Sequence, residues 1–262
     1  MQYKPEQKMV IKLGKYSISN RGLAGDVELA GRLIKSGASG HYMACANPHS
    51  LIVASKDALF ESALTNADIL VPDGTGIIIA AKILGLPCTE KVAGTDFFLG
   101  FSRKVNEKGR GLRYFFLGSS EKTLGLIEER MKRDFPCIEV CGTYSPPFKA
   151  EFSKEDNETM IDAVNNARAD VLWVGMTAPK QEKWIYVNRS KLNVPFIGAI
   201  GAVFDFYAGT KKRSSDFWIR TGLEWLPRLL KEPRRLWERN LKSTPIFLWW
   251  IIKEKIKQTR GN

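Results

Sequence analysis

The sequence predicts an α/β fold: a mainly parallel sheet flanked by helices, with a basic, amphipathic helical appendage at the C-terminus. Three observations predict it. Short β-rich apolar runs alternate with helical patterns from His41 to Ala199, as parallel strands joined by crossover helices require. The composition shifts after Gly209, where Lys211-Lys212-Arg213-Ser214-Ser215 reads as a boundary loop. From Lys211 to Asn262 there are 14 Lys and Arg against 5 Asp and Glu, a net of +9 out of +12 for the whole chain. Residues 1–210 therefore read as one α/β unit and residues 211–262 as the appendage.

Met9–Ser19 reads as a strand or small hairpin, and Gly25–Lys35 as an amphipathic helix. Candidate strands follow at His41–Ala46, Asp68–Val71, Arg113–Leu117, Ile138–Cys141, Asp170–Val174 and Pro195–Ala199. The helical patterns between them are Pro48–Ala63, Gly76–Leu84, Asp96–Glu107, Glu121–Asp134, Lys154–Ala167 and Lys180–Ser190. In the appendage, Trp225–Trp237 places apolar residues at helical spacing, and its prolines divide it into short helices. Phe247–Lys253 mixes aromatic and aliphatic residues with a cationic face, which describes either an interfacial helix or a helix packed on the α/β unit.

With 262 residues, 44% hydrophobic and 26% charged, the chain can bury a sizeable core. Its excess of basic residues points to an anionic partner: phosphates, an acidic membrane surface or a nucleic acid. Cys45, Cys88, Cys137 and Cys141 have no zinc-type spacing. Cys137 and Cys141 would lie too far apart along a strand to bridge, so buried thiols in a reducing cytosol are expected. The N-terminus lacks the apolar region of a secretory signal, and no run approaches the length needed to span a bilayer.

Four clusters could carry chemistry. Asp73, in Pro72-Asp73-Gly74, stands where a strand gives way to a helix, the place where open α/β sheets bind ligands. It is the first candidate for a catalytic base; its alternative is a helix cap. Asn47-Pro48 ends another strand and could likewise be an N-cap with proline at N1. Gly175–Glu182 forms a strand-to-helix turn in which Gln181 could bond sugar hydroxyls and the helix N-terminus could meet an anion. Gly198–Asp205 resembles a glycine-rich loop approaching a nucleotide, with Gly201 in the loop and Asp205 available for a ribose or base. Cys45 is either a nucleophile or a buried strand-end thiol. No metal-binding His pair, Asp-x-Asp pair, phosphate loop or serine elbow occurs.

Taken together, Ala46-Asn47-Pro48, Val71–Gly76, Glu90–Asp96, Ala178–Trp184, Gly198–Gly209 and Gly222–Arg228 resemble, in order and spacing, the signatures of the WecG/TagA/CpsF family, bacterial glycosyltransferase family 26. The resemblance spans about residue 10 to residue 250. It implies a Rossmann-like, metal-independent catalytic domain that transfers a hexose-type sugar with inversion. The donor would be a UDP-sugar and the acceptor a polyprenyl-diphosphate-linked saccharide of the cell envelope or an exopolysaccharide. N-acetylmannosamine, its uronic acid and glucose all fit at this stage. Asp73 would be the general base, and Asn47 and Gln181 would line the sugar pocket. Cys45 stands where the family usually has Thr, and Lys91 where it usually has Arg, which exchanges a guanidinium fork for a single ammonium.

Without a metal, the charge of the leaving UDP would be met by helix N-termini, by Lys91 and by Arg220, Arg228 or Arg234. Gly74 would let the ligand approach the backbone. No cofactor is expected beyond the UDP-sugar substrate. The tail would hold the enzyme peripherally on the anionic inner face of the cytoplasmic membrane, or its apolar face would pack on a second copy. A nucleic-acid-binding protein, a dinucleotide-dependent oxidoreductase and a membrane scaffold without activity are the competing readings. The Trp and Leu content of the tail disfavours the first, and the missing Gly-x-Gly-x-x-Gly the second.

Overall fold

The structure, a computed structural model, describes residues 9–88, 90–109, 111–211, 218 and 242–260. The chain opens with a hairpin of β1 (Val10–Leu13) and β2 (Tyr16–Ser19), whose buried side chains pack against the edge of the main sheet. Six apolar runs then form that sheet: β3 (His41–Ala46), β4 (Ile69–Pro72), β5 (Arg113–Gly118), β6 (Glu139–Tyr144), β7 (Val171–Gly175) and β8 (Phe196–Ala199). Their order is β4-β3-β8-β7-β5-β6 and every neighbouring pair is parallel.

Because side chains alternate along a strand, each run feeds two cores. In β7, Val171 and Trp173 enter one and Leu172 and Val174 the other. The first core holds α1 (Gly22–Lys35), α5 (Gly94–Glu107), α6 (Glu121–Asp134) and α9 (Val203–Ala208). Trp173 is its hub, with Phe98 edge-on at 5.2 Å and Tyr114 at 5.7 Å between ring centres. The opposite face carries α2 (Pro48–Ala54), α3 (Ala58–Thr65), α4 (Thr75–Leu84), α7 (Lys154–Asn166) and α8 (Lys180–Asn188).

The chain leaves β3 and β7 toward the second face but leaves β8, which lies between them, toward the first. Diverging connections open a crevice above the carboxyl ends of these strands, where doubly wound sheets bind ligands.

Several boundaries differ from expectation for identifiable reasons. The helix expected over Pro48–Ala63 is two helices. Asp57 ends the first by capping the second, accepting from the Phe60 amide at 3.0 Å, and its other oxygen meets Lys183 Nζ of α8 at 2.8 Å. Asp68 and Asp170, read as first strand residues, stand just outside β4 and β7. Their carboxylates accept the Tyr42 and Arg113 amides of the adjacent strands, at 2.9 and 2.8 Å. Each also donates its own amide to the carbonyl of the same residue, at 3.0 and 2.9 Å, so the side-chain bond adds to the backbone pairing at the strand's start. Cys137 lies before β6 and is exposed, so the expectation of buried thiols fails there; Cys88 is buried, and all four cysteines are free.

The appendage segment 212–217 and 219–241, including the helices expected over Trp225–Trp237, lies outside the described residues. Its last part, α10 (Ser243–Arg260), packs against α2 and α4. Phe247 and Ile251 are fully buried there, while Ile246, Trp249, Ile252 and Ile256 remain exposed on the other side. Lys253 lies over the Trp249 ring. The helix is therefore packed on the α/β unit and also presents an apolar outer stripe. Among the described residues, no helix is long and apolar enough to cross a membrane.

Candidate functional site

The site builds up along the carboxyl edge of β4, β3, β8 and β7, four adjacent strands. At the end of β4, the Asp73 amide donates to the Ala46 carbonyl at 2.8 Å, which extends the β3–β4 pairing one residue into the edge. Helix α4 takes Gly74, not Asp73, as its N-cap, and makes no side-chain cap bond. Asp73 thus stands one residue before the cap position. Gly74 has φ +98°, a conformation side chains resist, and a Cβ there would lie 4.0 Å from Asn47 Cβ. Asp73–Gly74 and Asn47 thus stand side by side.

Asn47 caps α2. Its Oδ1 accepts from the Ser50 amide at 3.0 Å, its own amide donates to Ser50 Oγ at 2.8 Å, and Pro48 occupies N1. The structural role of this residue is realised, and it spends the carbonyl half of the side chain; the amide half carries the donors suited to a sugar oxygen. Two residues back, Cys45 is half-buried. Its Sγ is 3.9 Å from the Ala199 carbonyl, and a Cβ on Gly94 would lie 3.4 Å from it. The thiol therefore sits in a seam between β8 and the start of α5.

At the end of β8, the Ile200 and Gly201 amides both donate to the Val174 carbonyl, at 3.1 and 3.2 Å. Gly201 has φ +52°, and a Cβ there would stand 3.3 Å from the Met176 carbonyl and 3.4 Å from the Gln181 amide group. The glycine lets the β8 turn close onto Gln181. Gln181 is only 4% exposed. Its Nε2 donates to Glu182 Oε1 at 2.9 Å, while its Oε1 is buried with no partner among the described residues. An orphaned buried acceptor is costly, and a ligand hydroxyl would satisfy it.

Other expected residues are placed differently. Asp205 is occupied: Lys211 Nζ reaches its Oδ2 at 2.8 Å and Thr210 Oγ1 its Oδ1 at 3.3 Å. It holds the turn after α9, so it is not the open ribose acceptor expected. Lys91 lies in the segment after α4; its neighbour Val92 donates to the Pro72 carbonyl at 3.0 Å, beside Asp73. Arg220, Arg228 and Arg234 lie outside the described residues. Helices α4, α5 and α8 all begin along this edge, so the positive ends of their dipoles converge where an anionic diphosphate would lie.

Two buried carboxylates escape a sequence reading. Glu182, 3% exposed, orients Gln181; its only signal is an acid in the first turn of a helix. Asp26 of α1 is fully buried, accepts from Ser19 Oγ, and has its pKa raised to about 6, chiefly by burial. Nothing in Gly25-Asp26-Val27 distinguishes it from a solvated helix residue.

Residues 11–261 match the Glycosyl transferase WecG/TagA/CpsF family. The chain is 32% identical over 216 residues to the N-acetylglucosaminyldiphosphoundecaprenol N-acetyl-beta-D-mannosaminyltransferase of Bacillus spizizenii, covering 82% of this chain and 80% of the relative. Proteins of the same name from Bacillus subtilis and Staphylococcus aureus are 26% and 25% identical, over 84% and 82% of this chain and 82% and 81% of theirs. A match across nearly the whole chain, on a parallel α/β sheet whose carboxyl edge gathers Asp73, Asn47, Gly201 and Gln181, settles its kinship: this chain belongs to the WecG/TagA/CpsF family of glycosyltransferases.

Proposed function

We propose that the protein transfers N-acetylmannosamine, with inversion, from a UDP-sugar to a polyprenyl-diphosphate-linked N-acetylglucosamine acceptor. The observation that carries this reading is the row of Asp73, Asn47, Gly201 and Gln181 across the crevice between β4 and β7. The names of the relatives supply the sugar and the acceptor. Asp73 accepts the proton of the acceptor hydroxyl as its oxygen attacks the anomeric carbon. Asn47 donates to the sugar and Gln181 Oε1 accepts from one of its hydroxyls. Gly201 and Gly74 keep the edge open to the ligand. The departing UDP gathers negative charge, which Lys91 and the starts of α4, α5 and α8 offset; Arg220, Arg228 and Arg234 are further candidates.

The test is transfer from UDP-N-acetylmannosamine to a short-chain polyprenyl-diphosphate N-acetylglucosamine. Asp73→Asn should abolish turnover while UDP still raises the melting temperature. Turnover within about tenfold of wild type would remove Asp73 from the role of base.

The outer stripe of α10, with Lys253, Lys255 and Lys257 around it, supports a peripheral seat on an anionic leaflet. Deleting the tail would also strip Phe247 and Ile251 from the core, so the sharper test changes the outer face alone. Trp249→Glu with Ile252→Glu should release the folded protein from acidic vesicles in a flotation assay. Undiminished flotation would remove α10 from the anchoring role.

A further inference from the structure

We infer that Glu90 is a positioning residue for Lys91, fixing that cation beside Asp73 by tying its segment to the start of α1. This rests on the reading of Lys91 as a contact for the UDP-sugar.

Helix α1 has Arg21 at its N-cap and no side-chain cap bond of its own. An uncapped helix start leaves backbone donors without partners. One is taken by a residue 67 positions away: the Leu23 amide donates to Glu90 Oε1 at 3.0 Å. The approach is close because position 22 is glycine. Gly22 has φ +67°, and a Cβ there would stand 2.1 Å from Glu90 Oε2. The same three-residue segment is tied at its other end, where the Val92 amide donates to the Pro72 carbonyl at 3.0 Å. Lys91 is the residue between the two ties. One tie leads to α1, and the other to the residue that precedes Asp73. Loss of the Glu90 tie frees the N-terminal half of the segment while the β4 tie persists. Lys91 would then lose its fixed approach to the diphosphate, and its lysine stem, more flexible than an arginine fork, gives it little stiffness of its own.

The test is a double-mutant cycle in the full-length enzyme, read as KM for the UDP-sugar against kcat. A helix cap is worth about 1 kcal/mol, so Glu90→Ala should raise that KM about fivefold with kcat little changed. Glu90→Gln keeps an accepting oxygen and should stay near wild type. Gly22→Ala, which retains Glu90 but displaces its carboxylate, should reproduce the rise even if Glu90→Ala folds poorly. In a Lys91→Ala background, Glu90→Ala should add less than about twofold. A full fivefold rise in that background overturns the inference, as does a Glu90→Gln defect equal to that of Glu90→Ala. Lys91→Ala without effect on the donor KM also overturns it. The transferase reading is judged separately, by the loss of turnover in Asp73→Asn.

Discussion

Replacing Asp26 with asparagine should stabilise the protein at neutral pH. Asp26 is fully buried in α1; one carboxylate oxygen accepts from Ser19 Oγ and the other has no hydrogen-bond partner among the described residues. Arg21 favours its charged form, while burial and Glu90 oppose it, and burial dominates: the pKa rises from 3.8 to about 6. The folded protein therefore holds the proton more tightly than the unfolded chain. Between pH 4 and 6 the folded state binds more protons, so the contribution of Asp26 to stability falls as pH rises, and it levels off above about 6. A shift of about two units corresponds to about 3 kcal/mol at pH 8. Asparagine keeps the shape and the bond from Ser19 but carries no charge, so Asp26→Asn should recover most of that, raising the melting temperature by about 6 °C. Urea unfolding of both proteins from pH 4 to 8 measures it, since the difference between the two curves isolates this residue from every other carboxylate. The gain should be small near pH 4 and reach its plateau above pH 6. A variant less stable than wild type at pH 8, or a difference that does not change with pH, would refute the reasoning.

Two other outcomes follow from packing and exposure. Phe247 is fully buried between α10 and the second core; Phe247→Ala should cost about 3–4 kcal/mol in urea unfolding, whereas Ile246→Ala on the outer side should cost under about 0.5 kcal/mol. Of the four cysteines, Cys137 is exposed while burial pushes the thiols of Cys88 and Cys141 up. Mass spectrometry after brief alkylation at neutral pH should find Cys137 modified before Cys88 and Cys141.

What could be read from the chain was local. The strands were legible because a doubly covered parallel strand is a continuous apolar run, and β3 begins and ends where expected, at His41 and Ala46. The row of Asp73, Asn47, Gly201 and Gln181 was legible because each follows such a run, and parallel strands bring their ends to one edge. The break at Asp57 was written in Ser55-Lys56-Asp57, where an aspartate that could cap a new helix sits inside a helical pattern. The bonds that reach across the fold were not legible. Glu90 capping a helix 67 positions upstream, Lys211 closing onto Asp205, and the orphaned acceptor of Gln181 all depend on tertiary approach. Sequence also counts the apolar residues of α10 without saying which side of the helix turns inward.

That side has a consequence of its own. Phe247 and Ile251 lock the roll of α10 about its axis, and His49 Nδ1 meets Ser243 Oγ at 2.8 Å where the helix begins, two residues beyond Asn47. Whatever seats on Trp249, Ile252 and Ile256 therefore meets the α/β unit at one set angle, like a key held by a flat bow. A surface seated on that stripe would therefore meet the crevice in one orientation, a quantity that binding strength alone would leave free.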